Sequence, residues 1–284
     1  MSNAKAEGLV AEGQKALKKF FGSKKDKAYD ASDKFCHAAR LYKIDRNFEK
    51  AGECFLMAAD ALHNVGDDNS ASSHYIDSTL MFFKVQSMTA KAHEALDKAV
   101  DILCTLDSPA KSAQLIVKSC ELLEKEQAYD LALQAYDKAL GLLADMTDVS
   151  ALQASIHEKK AFLFCEKRNY TEAAKSFTET ANLRNLIPLT QTSAQSTFVI
   201  AELCRLAAGD LQGAIKEYDN IVYQCPSIKV NFEGRYFNAI MDAVQNSREK
   251  LPEAIKAYKD THENAKWLVD ILNIIQNPEE REML

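Results

Sequence analysis

The chain has 284 residues, 47% hydrophobic and 27% charged, and its formal net charge is −6, a balance that excludes a disordered protein. It carries only 9 glycines and 5 prolines, where average usage would give roughly 20 and roughly 14. Because strand-and-turn architectures need those two residues, their scarcity predicts an all-α fold with short polar turns.

Amphipathic segments separated by turn-forming residues predict helices along the whole chain. In order, they cover residues 4–21, 27–44, 47–65, 68–85, 88–106, 109–126, 128–145, 149–167, 170–184, 191–208, 211–224, 232–246 and 250–276. Asp and Ser at the turns can cap the following helix by accepting its free amide hydrogens. Two proline-containing segments, residues 185–191 and 224–231, are predicted as irregular links.

A small residue followed four positions later by a large apolar one recurs down the chain. The pairs are Ala51/Phe55, Ala71/Tyr75, Ala92/Leu96, Ser112/Ile116, Ala132/Tyr136, Ala173/Phe177, Ala214/Tyr218 and Ala254/Tyr258. Because positions i and i+4 share one helix face, the spacing of about 20 and about 40 residues indicates helices paired into hairpins. We predict a right-handed, tetratricopeptide-like solenoid of antiparallel hairpins with about 13–14 helices. The repeat part is expected over residues 1–224, and a C-terminal helical bundle with a short acidic tail over residues 225–284.

The sequence contains no recognisable catalytic or cofactor motif. Its seven cysteines include no Cys-x-x-Cys pair, which indicates buried free thiols. Cys36 and His37 are adjacent and point about 100° apart on a helix, so they cannot form a nucleophile–base pair. Walker, dinucleotide-binding and Gly-x-Ser-x-Gly patterns are absent. We expect no enzyme, no cofactor, no metal and no nucleic-acid partner.

The N-terminal end combines positive charge with two adjacent phenylalanines near a turn. Residues 1–50 hold 12 Lys and Arg against 7 Asp and Glu, and Lys18, Lys19, Lys24 and Lys25 flank the Phe20-Phe21 pair. Two phenylalanines at a turn among lysines are suited to an anionic membrane surface. The alternative is that the two rings pack under the second helix and the lysines form a solvated face, and the residues alone favour this alternative.

Two further features are candidates for partner binding. The last helix carries the single tryptophan, Trp267, expected as a core or capping anchor, and an acidic tail follows it. This tail is either a docking peptide or a frayed terminus. Basic residues on the second helices of hairpins could hold an acidic coiled coil, although most surface lysines have no specific role; they are Lys84, Lys118, Lys159, Lys160 and Arg235.

Several stretches resemble the soluble NSF attachment proteins, and most of all their alpha type. They are Lys5 to Gly22 with its Phe-Phe pair, Ala38-Ala39-Arg40-Leu41-Tyr42-Lys43, Asn47-Phe48-Glu49-Lys50-Ala51-Gly52, Cys54 to Ala59, and Lys266-Trp267-Leu268 with the acidic tail. The resemblance covers essentially the whole chain. It implies a cytoplasmic, peripherally membrane-associated adaptor, monomeric when free, that binds the SNARE four-helix bundle. Such an adaptor recruits the hexameric ATPase NSF for SNARE disassembly in vesicle fusion and intracellular protein transport.

The resemblance also assigns roles to individual residues. The membrane-contacting residues would be Phe20, Phe21, Lys18, Lys19, Lys24 and Lys25, in a loop shorter than the family's. The SNARE-facing residues would be Lys84, Lys159 and Arg235, whereas Ala113, Ser155 and Ile200 stand where the family tends to have lysine. The NSF-facing residues would be Asp242, Glu279, Glu280, Glu282 and Leu284. The neutral Val244, Gln245 and Asn246 depart from the family's acidic cluster.

Two other classes of protein fit the fold less well. A generic tetratricopeptide scaffold gripping a peptide would use clamps at a period of about 34 residues, which this chain does not show. A helical-repeat enzyme subunit would need metal ligands and a pocket, for which the sequence provides no pattern.

Overall fold

The computed structural model describes residues 2–105, 109–261 and 265–281, and their regular secondary structure is entirely helical. The α-helices of this part of the chain are α1 (Ser2–Lys18), α2 (Lys24–Ile44), α3 (Phe48–His63), α4 (Asp68–Phe83), α5 (Thr89–Cys104), α6 (Pro109–Lys125), α7 (Tyr129–Leu143), α8 (Ser150–Glu166), α9 (Tyr170–Asn185), α10 (Gln191–Ala208), α11 (Leu211–Gln224), α12 (Phe232–Asn246), α13 (Leu251–Lys259) and α14 (Lys266–Gln276). The predicted all-α class is therefore confirmed.

The links between helices agree with the prediction at the two proline segments and differ from it near the C-terminus. Short 3-10 helices occupy Pro188–Thr190 and Pro226–Lys229. The single predicted helix 250–276 is wrong, because α13 ends at Lys259 and α14 begins at Lys266. Thr261 donates its hydroxyl to the carbonyl oxygen of Tyr258 at 2.9 Å. Ala265 has an extended backbone (φ −61°, ψ 137°), so the helix cannot run through it.

The chain divides into two compact units, Met1–Asp145 and Met146–Leu284. The first unit holds α1 to α7 and the second holds α8 to α14. The expected division between residues 224 and 225 separates repeat helices from a terminal bundle, which is a different criterion, and it stays a prediction.

The small/large apolar pairs mark the packing faces of their helices, as predicted. All their members are buried except Ala254, which is half-buried. The alanines of these pairs let neighbouring helices approach, and the large side chains fill the space beside them. Tyr75, Tyr136 and Phe177 are among the largest fully buried side chains of the described residues.

Successive hairpins are held in register by polar bonds between equivalent helices. In the first unit, Lys50 Nζ lies 3.1 Å from Glu7 Oε1 (α3 to α1), and Lys138 Nζ lies 2.8 Å from Asp97 Oδ1 (α7 to α5). The partners are 43 and 41 residues apart in sequence. This separation matches the repeat of about 40 residues, so each such bond joins one hairpin to the next.

Five tight turns between consecutive helices share one backbone motif. A residue with positive φ ends the first helix, and the next amide donates to a carbonyl five residues earlier: Asn47 to Tyr42, Asp67 to Leu62, Ala128 to Leu123, Asn169 to Phe164 and Asp210 to Arg205, at 2.8–3.0 Å. Asn47, Asp67, Asn169 and Asp210 then cap the following helix with their side chains.

The first unit depends on close approach of α3 and α4 at Gly52. A Cβ at this position would lie 2.7 Å from the ring of Phe82, which is fully buried. The carbonyl oxygen of Gly52 also accepts a hydrogen bond from the Ser78 hydroxyl at 2.9 Å. The two helices therefore touch where a side chain would separate them.

We expect Gly52→Ala to lower the free energy of unfolding by about 1–2 kcal/mol, because overpacking outweighs the better helix propensity of alanine. Gly141→Ala is the matched control: Gly141 lies inside α7, and an added Cβ meets nothing within 4 Å. This control should raise stability by about 0.5–1 kcal/mol. Urea denaturation measures both changes, and equal effects of the two substitutions would contradict the close-approach argument.

The second unit is organised around α10, which packs against α9, α11, α12 and α14. The ring of Trp267 in α14 lies 5.1 Å from that of Phe162 and 5.9 Å from that of Phe177, between centroids. Trp267 thus anchors the last helix on α8 and α9, in agreement with its predicted role.

One carboxylate lies inside this second unit. Glu202 of α10 is fully buried, and its Oε2 lies 3.1 Å from Nε of Arg205. Within the described residues neither of its oxygens accepts a well-aligned hydrogen bond. Burial raises the pKa of Glu202 to about 8, against the opposing effect of Arg205.

Candidate functional site

The loop between α1 and α2 presents two aromatic rings to solvent. Phe20 is 91% exposed and Phe21 is 84% exposed, and their centroids lie 5.3 Å apart in an edge-to-face arrangement. Gly22 has φ +99°, which lets the chain turn, and Ser23 caps α2 by accepting from the amide of Asp26 at 3.0 Å. The interpretation that the rings pack under the second helix is therefore wrong.

The predicted lysines surround this loop, although they are not equivalent. Lys18, Lys19, Lys24 and Lys25 are all exposed. Lys19 Nζ lies 2.7 Å from Asp30 Oδ2, and this bond lowers the pKa of the Asp30 carboxyl. Lys25 Nζ lies 5.9 Å from the centre of the Tyr29 ring. Lys18 and Lys24 form no ion pair with the described residues, so they are available to an external anion.

The three candidate SNARE-facing residues differ in their surroundings. Lys84 follows α4, and its Nζ lies 2.7 Å from Glu126 Oε2 and 5.5 Å from the Phe48 ring centre. Lys159 is half-buried in α8, and Arg235 is exposed on α12. Lys84 lies in the first unit and the other two in the second.

Two of the three positions at which the resemblance implies a lysine in the family are buried or packed against the core in this chain. Ala113 is completely buried in α6, and Ile200 of α10 packs against the core of the second unit. A lysine would lose its hydration at either position. Ser155 is half-buried in α8, and nothing in the structure explains the absence of lysine there.

The candidate NSF-facing residues are described in part. Asp242 is exposed on α12, and its Oδ1 accepts from the side-chain amide of Asn246 at 2.8 Å. Glu279 is exposed in the short 3-10 helix Pro278–Arg281, which also contains the backbone of Glu280. Glu282 and Leu284 lie outside the described residues.

Cys36 belongs to a polar cluster that was not predicted from its sequence neighbour His37. Its Sγ lies 3.5 Å from Nε2 of His74, whose Nδ1 lies 3.5 Å from Oδ2 of Asp77. Hydrogen bonds that His74 makes with Asp77, whose carboxylate accepts, and to a smaller extent with Cys36 raise the pKa of His74 to about 9. Cys36 and His74 are 38 residues apart, so a search at the repeat period could have paired them. Because Cys36 is 7% exposed, the cluster ties α2 to α4 and offers little access to a substrate.

The described residues hold neither a metal-binding cluster nor a membrane-crossing helix. No group of three His, Cys, Asp or Glu side chains in the described residues could hold a metal ion. Among the same residues, no helix has both the length and the apolar character that a bilayer crossing requires.

These features define a class: an α-helical hairpin-repeat protein whose N-terminal unit carries a cationic loop with two exposed aromatic rings. The model of the family "Soluble NSF attachment protein, SNAP" matches residues 4–280. The chain therefore belongs to the soluble NSF attachment protein family.

Individual relatives match over nearly their whole length. The alpha-soluble NSF attachment protein of Saccharomyces cerevisiae is 26% identical, over 97% of this chain and 94% of the relative. The vesicular-fusion protein SEC17 of Komagataella phaffii is 27% identical, over 96% and 95%. A solved structure of a signal-transduction ATPase with a tetratricopeptide repeat sensor, from Pyrococcus horikoshii, gives a TM-score of 0.43 at 16% identity, over 99% of this chain and 42% of that chain.

Proposed function

We propose that this protein is a non-enzymatic adaptor that binds SNARE complexes and recruits the ATPase NSF, which then separates them with the energy of ATP. The observation that carries this proposal is the family match over residues 4–280. The names of the relatives, NSF attachment protein and vesicular-fusion protein, support the same general role in vesicle fusion.

Three surfaces of the protein would each contact a different partner. The loop with Phe20 and Phe21 would enter the surface of an anionic membrane, where exposed rings and nearby lysines both contribute to attachment. Lys84, Lys159 and Arg235 would contact acidic positions of the SNARE four-helix bundle, and such charges mainly steer association and fix register.

The NSF contact would use acidic residues of the second unit and of the tail. Asp242 and Glu279 are exposed, so their carboxylates are accessible to basic residues of the NSF hexamer. Glu280, Glu282 and Leu284 would extend this contact. A partner that binds several weak sites at once gains affinity from their linkage, so the short tail can matter beyond its own contacts.

The direct test is disassembly of a purified SNARE complex by NSF and ATP, with and without this chain. We expect the chain to accelerate disassembly at least about tenfold, since an adaptor raises the local concentration of its two partners. No acceleration, or no binding of the chain to SNARE complexes in a pull-down, would overturn the proposed function.

The tail is tested in the same assay with a matched pair of variants. Leu284→Ala should retain SNARE binding and lower the stimulated ATPase activity of NSF, whereas Met283→Ala should leave both unchanged. Equal ATPase activity for Leu284→Ala and the unaltered chain would contradict the role of Leu284. The adaptor role itself would still be decided by the disassembly assay.

A further inference from the structure

A cavity of about 590 Å³ opens in the first unit, beside the loop that carries the two exposed rings. It lies among α1, α2 and α3. Leu17, which precedes the loop, and Lys24, which follows it, both line the cavity. Leu17 and Lys24 are therefore each three residues away in sequence from the nearer ring of the loop.

The lining of this cavity is amphipathic. Leu17, Phe35 and Met57 provide apolar surface, and Lys24 and Lys27 provide two ammonium groups. Neither lysine forms an ion pair with the described residues. The stem of Lys27 runs back along Gly22, so its charge is held next to the loop.

Asp60, the one acidic residue of the lining, already has a hydrogen-bond donor and a lysine beside it. Asp60 accepts a hydrogen bond from the Tyr75 hydroxyl at 2.5 Å, and Lys98 Nζ lies 3.9 Å from the same oxygen. These contacts offset its charge, which leaves Lys24 and Lys27 as the unpaired charges of the cavity. A ligand that matches the lining must be anionic at one end and apolar at the other.

We propose that this cavity binds a single anionic phospholipid, with its phosphate between Lys24 and Lys27 and the first part of one acyl chain against Leu17, Phe35 and Met57. The inference rests on the proposed membrane contact of the loop and names the lipid class that it would select. The volume falls within the range of about 300–1,000 Å³ that is usual for small-molecule sites.

The position of the cavity favours a lipid over other anionic amphiphiles. Rings that enter a membrane interface reach about 5–10 Å into the headgroup region. A cavity lined by Leu17 and Lys24, which flank those rings in sequence, would then lie near the level of the phosphates. Burial of acyl methylenes adds apolar contact to the binding, and a free phosphate would lack this contribution.

The experiment uses the full chain and a phosphatidic acid with two six-carbon chains, kept below its micelle concentration, in isothermal titration calorimetry. We expect saturable one-to-one binding, with phosphatidylcholine of the same chain length and inorganic phosphate each binding at least about tenfold more weakly. Lys24→Gln with Lys27→Gln should weaken binding at least about tenfold, because both charges that face the phosphate are removed.

The matched control is Lys5→Gln with Lys15→Gln, which removes the same charge from exposed positions of α1 outside the cavity. It should leave lipid binding unchanged. Equal weakening by both double variants, equal binding of inorganic phosphate, or no binding of the short-chain lipid at all would overturn the proposal.

Vesicle binding separates this inference from the proposed membrane contact. Phe20→Ser with Phe21→Ser should lower attachment to anionic vesicles by at least about 30-fold and retain binding of the short-chain lipid. If vesicles bind through the loop but the short-chain lipid does not bind, the cavity assignment is wrong and the membrane contact stands. If the lipid binds while vesicles do not, the membrane contact is wrong and the cavity assignment stands.

Discussion

Replacing both Phe20 and Phe21 with serine is expected to lower binding to anionic vesicles by at least about 30-fold. Each ring is more than four-fifths exposed in the protein and would be buried in the membrane interface. Even partial burial of two phenylalanine rings contributes about 2 kcal/mol or more, which corresponds to about 30-fold in affinity. Vesicle co-sedimentation measures the change.

A matched control uses two other exposed apolar side chains. Leu189 is 96% exposed and Tyr223 is 89% exposed, and both lie in the second unit. Replacing these two with serine should leave vesicle binding unchanged, while thermal unfolding should match the unaltered chain for both double variants. Persistent vesicle binding by the Phe20/Phe21 variant would mean that the rings do not insert.

The second large effect concerns the buried carboxyl of Glu202. Its pKa is raised from the ordinary glutamate value of 4.5 to about 8 in the folded protein, mainly by burial, with smaller raising effects of Glu217 and Asp210. Between these two pH values the folded state holds a proton that the unfolded chain has lost. The free energy of unfolding should therefore fall as pH rises from about 4.5 to about 8.

Glu202→Gln removes this titration. We expect it to change stability little near pH 5 and to raise the free energy of unfolding near pH 8 by about 3 kcal/mol, relative to the unaltered chain. Urea denaturation at several pH values can follow the fluorescence of Trp267, the single tryptophan, which lies in the same unit.

The control for this pH series is Glu179→Gln, which changes an exposed glutamate of α9 in the same unit. Its stability curve should run parallel to that of the unaltered chain at all pH values. A Glu202→Gln curve that is also parallel would show that the carboxyl stays charged throughout, which would contradict the raised pKa.

The repeat and the helices could be predicted because periodicity reports burial directly. A small residue at i and a large one at i+4 lie on the same face whichever helix packs there, so the pairs mark the core without knowledge of the neighbours. The sequence pattern does not predict the break between α13 and α14, because no glycine or proline lies between Asp260 and Ala265. The break is marked instead by the extended backbone of Ala265 and by the hydrogen bond from the Thr261 hydroxyl to the carbonyl oxygen of Tyr258.

Features that depend on contacts between helices could not be predicted from sequence periodicity. The orientation of the Phe20 and Phe21 rings follows from the end of α1 at Lys18, and predicted helix ends are uncertain by several residues. The cavity forms among three helices, so no local pattern marks it. Burial of Glu202 could have been suspected from its apolar neighbours, whereas its charge argued for the surface.

The spacing of the polar bonds between hairpins bears on how the chain assembles during synthesis. In the first unit these bonds join residues about 40 positions apart, so each hairpin can dock on its predecessor as soon as it has left the ribosome. The second unit is different, because Trp267 in α14 completes the packing of α8 and α9. The core of the second unit can therefore be completed only after nearly all of that unit has been synthesised. A stop codon before α14 would leave the packing face of α8 and α9 exposed.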